Sequence, residues 1–437
     1  MKIKALLFAF ALFAGLIEQA AAQERLTLEE AIATALKNNY DIKLINNDLL
    51  VAKNNVNPGN AGLLPALDAS FTEGGSLQNT TRTQSTGAQQ TLNGIRNTNM
   101  SYGVALGWTI FDGFQMFANY DRLKELQKQG EVNARATILT TISDVVNAYF
   151  MVVKQQQLVL AKDSALDVSK LRLRIANSKL EIGRGSKLDV LSATVDYNTD
   201  TSSYLQEKNL LKTSKVSLNQ IMARNLNDDF LVQDNINITS DLNYTALATQ
   251  MEQLNPDLQN AFISKKLAEL NLKQVRGQRY PTIGINGGYE VQRSASPTGF
   301  NTQQRAKGLT YGLTASLNLF NGFLQRQNER NAKIQINSSE LLLSKTKQDI
   351  NAQLLSAYQN YQTNLDLLKI ESKNVEVARQ NLDITLEKYR LGSIAPLELR
   401  EAQRNAIDAV TRFLEAQYQA KLTEINLKEI SGTLNVQ

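Results

Sequence analysis

The sequence predicts an α+β membrane protein made of two tandem repeats, each joining a strand pair to a long helical hairpin. Three observations carry this reading. Landmarks of the first half return in the second at fixed spacings, four segments alternate apolar and polar residues, and the remainder holds helices too long for an ordinary globule.

Composition narrows the chemistry first. The chain has 437 residues with 47 Lys+Arg against 42 Asp+Glu, and neither Cys nor His. Without those two residue types there is no Ser-His-Asp or Cys-His relay, no thiolate chemistry, and no zinc or iron site of the usual ligand set. Carboxylates alone still permit glycosidase-like chemistry or binding of Mg²⁺ or Ca²⁺, so an enzyme is disfavoured and no cofactor is expected. The formal charge of +5 is small for this length, and the charges of both signs are interspersed, which is no footprint for nucleic acid.

At the N-terminus, Lys2 and Lys4 precede an apolar run from Ala5 to Ile17, and Ala20-Ala21-Ala22 offers a small-x-small cleavage site. This reads as a signal peptide over 1–22, the run being too short to span ~30 Å of hydrocarbon. No later stretch is expected to supply the ~20 apolar residues of a membrane helix, which leaves any crossing to strands.

The repeat follows. Asn39 and Asp41 return as Asn255 and Asp257, and Leu64-Pro65 as Tyr280-Pro281, at a spacing of 216. Phe111-Asp112-Gly113-Phe114 returns as Phe320-Asn321-Gly322-Phe323, Gly183 as Gly392, and Leu188-Asp189 as Leu397-Glu398, at a spacing of 209. The change of seven places a length difference between Phe71 and Tyr102. The expected organisation is a first repeat over 23–224, a linker over 225–243 and a second repeat over 244–437.

Each repeat carries two strands. Leu309, Tyr311, Leu313, Ala315, Leu317 and Leu319 alternate with small or polar residues, and Tyr102, Val104, Leu106, Trp108 and Ile110 do the same in the first copy. A period of two puts one face in oil and the other in water. The partner strands hold Ile283, Ile285, Tyr289 and Val291, and Leu67, Ala69 and Phe71. Strands of about ten residues, with aromatics near their ends, suit a membrane barrel with Tyr102, Val104, Leu106, Trp108, Ile110, Leu313, Leu317 and Leu319 towards lipid. A soluble sandwich buries one such face in its core instead. The polar stretches Glu73 to Asn99 and Gln292 to Ala306 are expected to be solvated, mobile loops.

Helices fill the rest. Neither Gly nor Pro interrupts Glu131 to Ile182 or Phe323 to Leu391, and each run stops at Gly183-Arg184-Gly185 or Gly392-Ser393 before a second helical pattern returns. Four strands cannot close a barrel, because about eight are the smallest number that does, and open edges are not tolerated in lipid. Chains must therefore associate, and three would supply twelve strands.

The order of signal, helix, Leu-Pro or Tyr-Pro strand hairpin, Phe-Asp-Gly-Phe or Phe-Asn-Gly-Phe, long helix, Gly turn and returning helix resembles the TolC family of outer-membrane efflux proteins. The most specific segments are 183–193, opening Gly183-Arg184-Gly185-Ser186, and 389–403, opening Tyr389-Arg390-Leu391-Gly392. The resemblance implies a homotrimeric twelve-stranded β-barrel in the outer membrane, continued into the periplasm by a long α-helical coiled-coil barrel. It implies an exit duct of a tripartite efflux or type I secretion system, with a periplasmic adaptor (membrane fusion) protein and an inner-membrane pump as partners and outer-membrane lipid around the barrel. It further implies a periplasmic gate at Glu398, Glu401, Asp189 and Tyr389, and adaptor docking at Gly183, Arg184, Gly185, Arg390, Leu391, Gly392 and Ser393. Ile394 stands where the family has a basic partner, and Arg400 where it often has an apolar residue. For the glutamates, a solvated helix start with Glu401 paired to Arg404 is the other reading. For the whole chain, the alternative is a structural coiled-coil scaffold of the cell envelope.

Overall fold

The computed structural model describes residues 25–233, 235–298 and 301–434; the segment read as a signal peptide lies outside them. In chain order the elements are β1 (Arg25–Leu26), α1 (Leu28–Asn38), α2 (Tyr40–Asn55), α3 (Pro58–Ala61), β2 (Ala66–Thr83), β3 (Gln89–Phe111), α4 (Gln115–Glu181) and α5 (Lys187–Ile221). They continue with β4 (Leu231–Val232), α6 (Tyr244–Leu254), α7 (Pro256–Gly277), β5 (Thr282–Ala295), β6 (Gln303–Ser316), α8 (Leu324–Arg390) and α9 (Pro396–Ile430). Two compact units cut across the repeats, one holding 48–131 and 260–345, the other the remaining segments.

The first unit is built on an antiparallel four-stranded sheet in the order β2-β3-β5-β6. Its register is the duplication made visible: Phe71 pairs with Tyr102, and Gly287, 216 residues on from Phe71, pairs with Tyr311, 209 on from Tyr102. Cross-strand rows Leu67-Leu106-Gly287-Tyr311 and Ala69-Val104-Tyr289-Leu309 lie on one face. Rows such as Ala66-Gly107-Asn286-Gly312 lie on the other. One face is thus apolar and exposed, the other small and polar. Among the described residues, β2 and β6 are free edges of this sheet.

The polar segments expected as loops are strand. Glu73 to Gln78 pairs with Ile95 to Met100, the ladder resumes after a bulge from Thr80–Leu92 to Thr83–Gln89, and Gln292 to Ala295 pairs with Gln303 to Ala306. Backbone amides pair whatever the side chains, and once both faces meet water the period of two vanishes from the sequence while the ladder persists. β6 is correspondingly shorter at its other end than the alternation suggested. It stops at Ser316, so Leu317 and Leu319 lie beyond the strand; the register would set Leu317 against Pro281, which has no N–H to give.

Strand passes to helix through the Phe-x-Gly-Phe turns. Gly113 and Phe114 (φ 73° and 67°), like Gly322 and Phe323 (65° and 66°), are consecutive left-handed residues. Phe111 braces Phe114 edge-on at 5.2 Å, and Phe320 braces Phe323 at 5.3 Å. A Cβ on Gly113 would lie 2.1 Å from the Gly277 carbonyl oxygen, which makes this glycine obligatory. α4 starts at Gln115 and runs without a break through Gly130, which lies within contact range of Leu49 and Ala52 of α2.

In the second unit, α4 packs Leu139, Ile142, Val145, Val146, Tyr149, Val152 and Val153 into the main core. Part of α4 is apolar and long enough to cross a membrane by composition, contrary to the expectation for the mature chain, but 56 % of that window is buried within the protein. Its length of apolar residues reflects core packing. The repeat reaches hydrogen bonds here: Asn39 Nδ2 donates to the Ile221 carbonyl and Asn255 Nδ2 to the Ile430 carbonyl, each at 2.9 Å. The linker is packed down. β4 pairs in parallel with β1, the Tyr149 hydroxyl bonds Leu26, and Tyr361 bonds the Thr239 carbonyl.

Candidate functional site

The two helical turns are built alike. Gly183 (φ 70°) and Gly392 (φ 75°) take the left-handed conformation that ends α4 and α8. Gly183 N donates to Leu180 O and Arg184 N to Lys179 O, with Gly392 to Tyr389 and Ser393 to Lys388 repeating the pattern. This paired closure satisfies the last carbonyls of each helix. Gly185 is needed for space, since a Cβ would meet Lys179 and Leu180 at 2.9–3.0 Å. Arg184, Arg390, Leu391 and Ser393 are exposed; Arg390 pairs with Glu387 at 2.6 Å and the Ser393 hydroxyl caps the Lys388 carbonyl at 3.0 Å. Leu188 and Leu397 are not among the docking residues that the resemblance implies. They hold matching positions, one residue into each returning helix, and are 74 % and 75 % exposed. Apolar residues at both helix starts were the available signal.

Of the four residues linked to gating, Asp189 closes a capping box with Ser186 (3.1 and 3.2 Å). Glu398 reaches back to the Ala395 amide at 3.4 Å, with Pro396 at the first helical position. Glu401 pairs with Arg404 at 3.1 Å. Both glutamates are exposed and line one groove with Lys388, Ile394 and Asn405. Tyr389 is different: only 2 % exposed, it packs under the Lys179 ammonium, 4.9 Å from its ring centroid, and bonds Arg172. Burial raises its phenol above the ordinary value, opposed by the Arg172 charge.

Tyr389 opens onto a network that the sequence did not disclose. Arg172 of α4, almost fully buried, pairs with Asp196 of α5. Arg400 of α9 bridges Asp196 at 3.4 Å and grips Asp200 with both terminal nitrogens, at 2.7 and 3.1 Å. Gln403, 1 % exposed, donates to the Ala165 carbonyl at 2.7 Å, Ser169 Oγ at 2.9 Å and Asp200 at 3.2 Å, and Ser169 bonds Asp200 as well. Four helices of two hairpins are therefore tied by charge-assisted bonds a few turns from the Gly turns. Burial opposes the Arg400 charge, but the Asp200 bond outweighs it and holds the guanidinium firmly protonated. Desolvation offsets much of the Coulomb energy of such a cluster, whereas removing one partner leaves a buried charge unpaired. No group of three or more metal-ligating side chains occurs among the described residues.

Comparison with known proteins agrees with this architecture. The family model described as outer membrane efflux protein matches residues 31–224 and 247–433. The chain is similar to outer membrane efflux protein BepC of Brucella suis biovar 1 (strain 1330), 20 % identical over 433 residues, covering 99 % of this chain and 91 % of the relative. It is likewise similar to outer membrane protein TolC of Escherichia coli (strain K12), 21 % identical over 355 residues, covering 79 % and 72 %. Among solved structures, the Campylobacter jejuni CmeC outer membrane channel superposes with a TM-score of 0.75 at 18 % identity, over 93 % of this chain and 85 % of that one. With both copies of the helical hairpin matched and the fold shared, the chain belongs to the outer membrane efflux protein family and is an efflux exit duct of the outer membrane.

Proposed function

We propose that three copies of this chain assemble into one duct, with twelve strands in the outer membrane and six helical hairpins reaching into the periplasm, as the passive outer component of a tripartite pump. The carrying observation is the four-stranded sheet, apolar on one exposed face, polar on the other and open at β2 and β6. In lipid an open edge leaves backbone groups unpaired, and closure with neighbouring chains removes it. The two sequence repeats, 23–224 and 244–437 about the 225–243 linker, then alternate around the ring. Catalysis has no part in this reading.

The Gly turns are the docking ends. Leu188, Leu391 and Leu397, with Arg184, Arg390 and Ser393, offer an apolar and basic surface to a periplasmic adaptor, which connects the duct to an inner-membrane pump. The gate comprises Tyr389, Arg172, Asp196, Asp200 and Arg400, which hold the hairpins of one chain together. Glu398 and Glu401 face the groove and would converge from three chains into a ring of carboxylates that favours cations. Small-molecule efflux and type I secretion use the same duct, and the efflux names of the relatives favour the former.

Because the chain has no cysteine, Leu391→Cys places a unique thiol at a hairpin turn. Thiol-directed crosslinking in cells should capture a periplasmic adaptor, and mass measurement of the purified protein in detergent should return three chains. A folded monomer with full strand content contradicts the assembly. Crosslinking no stronger than from a thiol at exposed Leu50 contradicts the docking reading.

A further inference from the structure

The apolar face of the sheet ends in cations on three of its four strands. Towards the hairpin turns, Val291 of β5 is followed two residues on by Arg293, and Leu309 of β6 gives way to Lys307 and Arg305. On β3 the same parity runs from Tyr102 through Met100 and Thr98 to Arg96. Register places Lys307 beside Val291 in the same row as Phe71 and Tyr102, and Arg293 directly against Arg305 in the next row. All three cations of β5 and β6 are exposed and none has an ion-pair partner among the described residues. Glu73, the acid on this face, stands two strands from Arg293 with Met100 between them.

Like charges directly opposite in an antiparallel pair repel, so this arrangement is costly unless an anion lies over it. The anion must sit immediately above an apolar band and an aromatic row, at the strand ends remote from α4 and α8. We propose that Arg293, Arg305 and Lys307 dock the phosphate groups of a phosphorylated lipid in the outer leaflet, its acyl chains lying on Leu309, Tyr311 and Leu313. Arginine forks match phosphate oxygens in pairs, and a juxtamembrane cation gains from an anionic surface. The proposal rests on the reading that this face of the sheet meets lipid.

The test uses the full-length purified protein in detergent, with bisphosphorylated lipid A and its dephosphorylated form as probes and bound lipid counted by native mass spectrometry. Wild type should retain the phosphorylated probe. The triple variant Arg293→Gln, Arg305→Gln, Lys307→Gln should bind it about a hundredfold more weakly, at roughly fivefold per cation, and both proteins should bind the dephosphorylated probe poorly. Equal affinity of the variant, or of the dephosphorylated probe, overturns the proposal. Trp108, the one tryptophan, separates the layers of the inference. In vesicles with brominated acyl chains its fluorescence should be quenched in both proteins, which also shows that the variant inserts. Quenching with unchanged lipid A affinity overturns the phosphate role alone; absence of quenching overturns the lipid-facing sheet and the docking site with it.

Discussion

The two helical hairpins share a backbone plan and differ in chemistry. Shifting the lock by 209 residues shows how far they have diverged: Ser169, Arg172, Asp196 and Asp200 of the first copy correspond to Ala378, Asn381, Asn405 and Ala409 of the second. Tyr389, Arg400 and Gln403 of the second correspond to Leu180, Leu191 and Thr194 of the first. One copy keeps both carboxylates and Arg172, the other the bridging guanidinium, amide and phenol. Duplication supplies two hairpins that pack alike; divergence makes the contact between them directional. In the proposed trimer the seam within each chain is locked by ions and the seam between chains does not inherit the same bonds.

The caps diverge in the same way. α5 begins with a complete Ser186–Asp189 box, whereas α9 begins at Ala395 with no side-chain acceptor and relies on Pro396. Deeper in the same unit, Lys215 of the first copy, paired with Asp229, corresponds to buried Glu424 of the second, which holds Thr239, Lys421 and Lys428.

Arg400→Met should have the largest effect. It leaves Asp200 buried without its guanidinium, a loss of about 3–5 kcal/mol where a buried pair is broken, while Leu191→Met at the matching position of the first copy should be near neutral. Thermal unfolding of the hairpins checks both. Leu313→Arg should cost about 2–4 kcal/mol near the bilayer midplane, and Thr314→Arg on the other face should be tolerated. Equal loss of insertion would contradict the assignment of the two faces.

An intermediate effect belongs to acid. Burial would raise the Glu424 carboxyl, but the Lys428 bond and the Lys421 charge outweigh it and hold it below the ordinary 4.5. A carboxyl depressed on folding stabilises fully above its unfolded value, and the contribution is lost as pH falls through the folded one. Protection of the Thr239 segment against hydrogen exchange should therefore drop below about pH 4.5, and in Glu424→Gln the drop should vanish. Smallest is the cap: Ser186→Ala should cost about 1 kcal/mol, and Ala395→Ser should recover a comparable amount in the second hairpin. If the two substitutions had the same sign, the caps would not account for the difference between the turns.

Much of this was legible before the structure. Alternation disclosed the strands wherever one face meets oil, as at Leu309 to Ala315, and lost them from Glu73 to Asn99, where both faces meet water. The turns were legible because left-handed backbone at Gly183 and Gly392 demands glycine. Gly130 bounded the uninterrupted run in the sequence, yet the helix passes through it from Gln115. The lock was hidden for another reason: its residues come from segments up to 238 apart in the chain. Each segment carries only a polar pair, Ser169 and Arg172, Asp196 and Asp200, or Arg400 and Gln403, at the three- or four-residue spacing of one helix face. Such pairs are usually solvated, and only packing shows that these are not.

Single-channel conductance in planar bilayers tests the central proposal, an outer-membrane duct whose gate is the ion-pair lock within each chain. Wild type should insert and pass a small current, Arg400→Met should raise it severalfold, and Leu191→Met should leave it at the wild-type value. Equal conductance of all three proteins, or an increase from Leu191→Met as large as from Arg400→Met, would contradict the lock.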